Sequence, residues 1–187
     1  MLELLPRQGE WHEQRYLALE TNRLVELVDD CLEFPPMPTF NHQQLVGLLW
    51  LLLRTYAFSK RGARAVMAPF KLRIDGRNYR EPDVLFLKPE HAGLHQDAFW
   101  TFADFLIEVV SPDEPNRDYI DKRADYARLG VPEYWIVDPE KGQLLQLILK
   151  DGAYVDHAVH ALDKTVRAVT LDGFEVDFAK LMAEAAE

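Results

Sequence analysis

The chain has 187 residues, with 21 Lys and Arg against 31 Asp and Glu, a formal charge of −10. With 48% apolar and 11% aromatic residues it holds enough bulk for one domain with a real core, which excludes a disordered or collagen-like chain. The lone Cys31 excludes an internal disulfide and a multi-thiolate zinc site, the run Leu48 to Leu53 is far short of the ~20 residues of a membrane span, and the start Met1 to Pro6 lacks the pattern of a secretory signal, so a reducing, cytoplasmic setting is expected.

In chain order, Gln14 to Leu19 reads as helical, and a strand pair can turn around Asp29-Asp30. The prolines of Phe34-Pro35-Pro36-Met37-Pro38 break the chain. Thr39 or Asn41 can then cap a helix at about 41–58, where Leu45, Leu48, Leu49, Leu52, Leu53 and Tyr56 form one stripe. From Ala65 the period becomes two: Val66, Ala68, Phe70, Leu72 and Ile74 predict a single half-buried strand with a basic outer face, ending at Asp75-Gly76. Pro82 to Leu87 reads as a short strand, followed by a loop with His91 and His95. Asp104 to Val110 reads as a central strand covered on both faces. Residues 117–129 form a helix closed by Gly130, and Tyr134 to Val137 the next buried strand, so this stretch is a strand-helix-strand crossover. Leu144 to Leu149 and Ala153 to Val159 form a hairpin around Asp151-Gly152, and Phe178 to Ala185 a terminal helix.

Two carboxylates stand out by position. Asp83 follows a proline at a strand start, and Glu108 lies inside the apolar run Phe105 to Val110, where an ionised group needs a partner, a proton or a metal. On adjacent strands they would converge into an oxygen-rich site suited to magnesium or manganese. The bland alternative makes Glu108 a salt-bridge partner and Asp83 a turn residue. Asp118, Lys122 and Tyr126 are spaced four apart on one face of the crossover helix, which packs back over its strand and can hang an ammonium above the two acids. Tyr134 and Trp135 read as core rather than base-stacking residues, Ser111 has no triad partners, and His91 and His95 lack a third zinc ligand. Charge is also uneven: residues 54–80 carry eight cations, among them Lys60, Arg61, Arg64, Lys71 and Arg73, against Asp75 alone, a local +7 that is either a solvated surface or a phosphate-steering stripe.

Taken together, Glu81-Pro82-Asp83-Val84, the block Leu106-Ile107-Glu108-Val109-Val110-Ser111-Pro112, Asp118 with Lys122, Tyr126-Ala127 and Gly130 to Pro139 resemble the Uma-type restriction endonucleases of bacteria, a branch of the PD-(D/E)XK nuclease superfamily. Glu26 to Asp30 and Asn41-His42-Gln43 are similar to the family's early segments, so the resemblance spans most of the chain. It implies an α/β, restriction-endonuclease-like fold: a mixed central β-sheet flanked by α-helices with an N-terminal helical and strand extension. As one domain, the extension would take about 1–40, the catalytic core about 41–160 and a C-terminal segment about 161–187.

The resemblance further implies that Asp83 and Glu108 bind Mg2+ or Mn2+, with the Val109 carbonyl as a further ligand, and that Lys122 orients or activates the attacking water. The superfamily's usual lysine lies two residues after the Glu, where this chain has Val110; in the Uma-type branch it has moved to the following helix, where Lys122 stands. Hydrolysis tolerates this, needing only an ammonium near water and phosphate. Glu26 and His42 are second-tier candidates, Glu26 as a metal or water contact and His42 as a phosphate contact or, in the preferred reading, a structural residue. Lys60, Arg61, Arg64, Lys71 and Arg73 are the candidate backbone contacts. The expected partner is nucleic acid, DNA foremost, with no membrane and with a homodimer as an open option. Two other readings stand beside this one: an inactive nuclease-fold binding or regulatory module, and metal-free acid-base chemistry by the two carboxylates on a small substrate.

Overall fold

A two-residue period in the strands and a 3.6-residue period in the helices sort the apolar side chains to opposite faces of one sheet, and that sorting sets the architecture. The computed structural model describes residues 5–21 and 23–186, so Met1 to Leu4, on which the reading of the chain's start partly rests, lie outside the described residues. The elements are α1 (Glu13–Leu17), a hairpin of β1 (Glu26–Val28) and β2 (Cys31–Glu33), and the long α2 (Phe40–Ser59). Strands β3 (Arg64–Met67), β4 (Lys71–Asp75), β5 (Asn78–Arg80) and β6 (Val84–Leu87) follow, then a 3-10 segment at Pro89–Leu94, β7 (Phe99–Trp100) and β8 (Phe105–Val109). A π-helical turn, Arg117–Lys122, runs directly into α3 (Arg123–Leu129). The chain closes with β9 (Glu133–Asp138), β10 (Gln143–Lys150), β11 (Ala153–Ala161), β12 (Thr165–Arg167), β13 (Glu175–Asp177) and α4 (Phe178–Ala185).

The main sheet has six strands in the order β11-β10-β9-β8-β6-β3, mixed because β8 and β9 run parallel and the other pairs antiparallel. The parallel pair is joined through α3, the crossover read from the sequence. On one face Val84, Phe86, Phe105, Ile107 and Val109 pack with Leu45, Leu49 and Leu53 of α2 and with Phe178 and Leu181 of α4. On the other, Leu85, Leu87, Leu106 and Val110 meet Tyr126 of α3 and Leu72 of β4. Each fully buried Leu, Ile or Phe contributes about 1.5–3 kcal/mol of apolar transfer, so β6, β8 and β9, buried throughout, are strongly held. Gly130, at φ 87°, ends α3 in a left-handed conformation that costs glycine little.

A second sheet, β2-β1-β5-β4-β7, stands beside the first, so the N-terminal hairpin is paired into the fold through Leu27 opposite Tyr79. Its turn residues Asp29 and Asp30 have φ of 48° and 62°, which Asp tolerates better than most residues. The single strand expected from Val66 to Ile74 is here corrected: the chain leaves β3 at Met67 and re-enters as β4 in the other sheet. Pro69 has no N–H to continue a ladder, although the apolar alternation runs through it unbroken. The small β12-β13 pair is tied to the main sheet by Glu133, whose buried carboxylate accepts hydrogen bonds from Trp135, Gln146, Val169 and Thr170. Among the described residues no helix is long and apolar enough to cross a membrane.

Candidate active site

Register brings the two acids together. Val84 of β6 lies opposite Ile107 of β8, so one step outward places Asp83 opposite Glu108, and both point to the α3 side because they keep the parity of Leu85 and Leu106. The Asp83 N–H donates to Glu108 Oε2 at 3.2 Å, and Asp83 Oδ2 accepts the Val109 N–H at 2.8 Å. Lys122 comes from the π-helical turn, on the same side as Asp118 four residues before it. Its Nζ is 2.9 Å from Glu108 Oε2 and 3.1 Å from Asp118 Oδ1, with only 8% of the side chain exposed. Tyr126 donates its hydroxyl to Glu108 Oε1.

His42 reaches the same point from the opposite face, at the first turn of α2. Thr39 Oγ1 caps the helix by accepting the His42 N–H at 3.2 Å. The ring Nε2 lies 2.9 Å from the Val109 carbonyl and 3.3 Å from Asp83 Oδ2. His42 therefore holds the end of β8 and the Asp83 carboxylate in place, and the Val109 carbonyl is already engaged by it.

These contacts tilt the proton affinities. Burial would raise Asp83, but the His42 hydrogen bond and charge, with Lys122, hold it below its ordinary value. Burial pushes Glu108 well above its own, against the pull of Lys122 and with the help of the Asp83 and Asp118 charges. Burial also raises Asp118, Lys122 opposing. Lys122 is raised despite burial, because Asp118, Glu108, Glu26 and Asp83 surround it. Three carboxyls around one ammonium leave this cluster short of positive charge, which suits it to a hard divalent cation. Among the described residues no three Asp, Glu, His or Cys side chains gather into a complete metal cage. Asp83 and Glu108 are the two carboxylates that could hold an ion here.

A second ionic layer lies behind the first, and sequence reasoning assigned it only in part. Glu26 Oε2 accepts from Arg80 at 2.8 Å and Arg117 at 2.6 Å, and its Oε1 accepts the Glu81 N–H at 2.9 Å, so both oxygens are spent on holding the neighbouring chain. Burial opposes ionisation of Glu26, yet Lys122, Arg80 and Arg117 hold its carboxyl down at about 2. Glu33, directly across the hairpin from Glu26, is 3.3 Å from each of the same guanidiniums, which bridge what would otherwise be a like-charge pair. Arg80 also binds Asp125 at 2.7 Å. Glu81 points inward beside Asp83. Burial lifts its carboxyl to about 7, Lys71 opposing, and its Oε2 is buried with no hydrogen-bond partner among the described residues.

The cations of residues 54–80 are spread over several places. Lys60, at the end of α2, is about 27 Å along the helix from His42 at 1.5 Å per residue, and Arg61 and Arg64 are exposed in the following turn and at the start of β3. Arg73 pairs with Glu13 and Arg77 with Asp30, while Arg80 is 3% exposed inside the ionic layer. Of the candidate backbone cations only Lys71 stands near the acids, 3.8 Å from Glu81. His91 binds Asp104, and Tyr134 and Trp135 are fully buried in the core.

Asp83, Glu108, Asp118, Lys122 and His42 line a cavity of about 60 Å3, room for a few waters. It shares Leu24, Pro38, Gln43, Ala68 and Glu81 with an adjoining groove of about 380 Å3.

Residues 13–179 match the Uma2 family, described as a putative restriction endonuclease. No curated protein matches. Among solved structures, the crystal structure of a putative nuclease belonging to DUF820 from Anabaena variabilis superposes with a TM-score of 0.76 at 16% identity, covering 93% of this chain and 98% of that one. At that identity the likeness establishes the fold.

Proposed function

The chain belongs to the Uma2 family, and from that premise we propose that it is a metal-dependent endonuclease that hydrolyses phosphodiester bonds of nucleic acid, DNA foremost. The observation that carries the reading is the meeting of Asp83, Glu108 and Lys122 at one small cavity, with Lys122 Nζ 2.9 Å from Glu108 Oε2.

Asp83 and Glu108 would hold the magnesium or manganese ion, which when bound supplies Lewis-acid neutralisation of the phosphoryl oxygens. The residues of the chain do the rest. Water adds to phosphorus, one P–O ester bond breaks, and the leaving oxygen takes up a proton. Lys122 would set a fixed positive charge beside the reacting phosphate, strengthened by the burial of its side chain. His42 and Tyr126 keep the two carboxylates aimed, one binding Asp83 and the other Glu108.

The test is cleavage of plasmid, single-stranded DNA and RNA in Mg2+, Mn2+ or EDTA by the native protein and by Asp83→Asn, Glu108→Gln and Lys122→Ala. The expected result is metal-dependent cleavage lost in all three variants. Equal cleavage by native and variant proteins would remove these residues from the chemistry.

A further inference from the structure

Helix α2 is apolar on two sides, and the core uses only one of them. At 3.6 residues per turn Leu45, Leu49 and Leu53 share the side packed on the sheet, while Phe40, Gln44, Leu48, Leu51, Thr55 and Phe58 fall on the side turned away from it. From Gln44 onward this second stripe advances by four, three, four and three residues, the spacing of a coiled-coil seam. Gly47 lies beside it with open space where a Cβ would stand, so another backbone can come close. Phe40 is 70% exposed, Leu51 54% and Phe58 76%. Single exposed apolar side chains are ordinary; aligned over about 27 Å of one helix, they mark a contact surface.

The two flanks of the stripe differ in charge. On one, Leu48, Leu51 and Leu52 line a groove of about 360 Å3 together with residues of β12, β13 and α4, among them Glu175, Asp177 and Glu184 against Lys180. Arg167 answers Glu175 at 2.7 Å, so the acid surplus rests on Asp177 and Glu184. The other flank carries Arg54, two residues and about 200° around the helix from Leu52. Its guanidinium lies 5.4 Å from the Trp50 ring and 4.9 Å from that of Phe58. No acid occurs on α2 itself. What complements the groove is therefore an apolar helix face edged with a cation, and α2 of this same chain is such a face.

We propose that the outer face of α2 pairs with the same face of a second copy of this chain, the two helices running side by side in the same direction. Charge selects the direction. In a parallel pair each flank meets the opposite flank of the other helix, so Arg54 of each copy comes against the acid-edged groove of the other, twice by symmetry; in an antiparallel pair like flanks meet. Along the seam Leu48, Leu51 and Phe58 pack on their own counterparts and leave water, with Gln44 and Thr55 as the polar positions that fix register. His42 projects from the other side of α2, to Val109 and Asp83, so the pairing spends no residue of the catalytic cavity and stands whether or not that cavity cuts nucleic acid.

Analytical ultracentrifugation at tens of micromolar tests this. The native chain is expected at twice the 21.7 kDa of one copy. Leu51→Lys, at a position already half exposed, should keep the native circular dichroism and melting temperature and weaken the dimer about a hundredfold, and Arg54→Glu about tenfold. Gln44→Cys and Thr55→Cys, each alone in a Cys31→Ser background, read the direction: a parallel pair brings both positions onto their own counterparts and oxidation should lock a covalent dimer in each, whereas an antiparallel pair can lock at most one. A monomeric native chain, or a dimer that survives Leu51→Lys, would overturn the proposal. Cross-linking at only one of the two cysteines would overturn the parallel pairing. Sedimentation of a monomeric native chain with phosphatidylcholine vesicles, lost in Leu51→Lys, would give the face to a lipid surface instead.

Discussion

Glu26→Gln removes one charge and almost no volume from the layer behind the acids, so its cost measures what that charge holds. A carboxyl held at about 2 rather than at the ordinary 4.5 is worth about 3 kcal/mol to the folded protein at neutral pH. Breaking a buried ion pair typically costs about 3–5 kcal/mol, and here the lower end applies, since Arg80 keeps Asp125 and Glu33 while Arg117 keeps Glu33 and Glu114. With a urea dependence of about 2 kcal/mol per molar, the unfolding midpoint at pH 7 should fall by about 1.5 M. The sign with pH follows from the lowered value. The stabilisation is fully present above 4.5 and is lost as pH falls toward 2, so the gap between native and variant should shrink to about 1.5 kcal/mol at pH 3. Urea titrations of both proteins at pH 7, 5 and 3 read this directly. A gap below about 1 kcal/mol at pH 7, or one that stays constant with pH, would refute the account of Glu26 as an ionised clamp.

Three further outcomes are expected. Lys122→Met should lower single-turnover cleavage about 100- to 1000-fold while nucleic-acid affinity stays near native, because a side chain this buried acts on the reacting phosphate and not on the length of the strand; an equal loss in affinity would make it a binding residue. Tyr126→Phe removes the hydroxyl on Glu108 Oε1 and should cost about 1–2 kcal/mol in thermal or urea unfolding, with cleavage reduced only several-fold; no change in either would mean that Glu108 needs no such support. In salt titrations with a hexanucleotide, Lys60→Glu and Arg61→Glu should leave the slope of log affinity on log salt unchanged, whereas Lys71→Glu should make it shallower by about one, the weight of one phosphate contact; the reverse pattern would return the strand to the far end of α2.

The parts of the site legible in the sequence are those governed by local periodicity. An acid inside the apolar run of β8, another at the start of β6, and a lysine four residues after Asp118 each break or follow a pattern that short windows display. Their pairing also depended on register, which is a property of two strands and appears in neither alone. Arg80 shows what local windows miss. Within a run of cations it looks solvated, yet its partners Glu26, Glu33 and Asp125 lie 54, 47 and 45 residues away. The same holds for the change of sheet at Pro69, hidden because the residues on both sides keep the same alternation. The two- and three-residue strands β7 and β5 are too short to carry a period at all.

That hidden layer decides the charge of the visible one. Arg80 and Arg117 lie close behind Asp83 and Glu108, and if they faced forward the cluster would be neutral or positive. Glu26 and Glu33 hold both guanidiniums back. Asp83, Glu108 and Asp118 are left with Lys122 as the one permanent cation within hydrogen-bonding distance of them among the described residues, and Glu108 and Asp118 are raised chiefly by burial, with the neighbouring Asp83 charge adding to it. On the proposed reading the missing charge is the one a divalent ion brings with the substrate. Freeing an arginine should therefore harm the chemistry in a particular way: a guanidinium turned toward the acids would satisfy them permanently and compete with the ion. Glu26→Gln should then raise the metal concentration needed for half-maximal cleavage, beyond what its loss of stability explains, and a metal requirement identical to native in the folded variant would show that the two layers act independently.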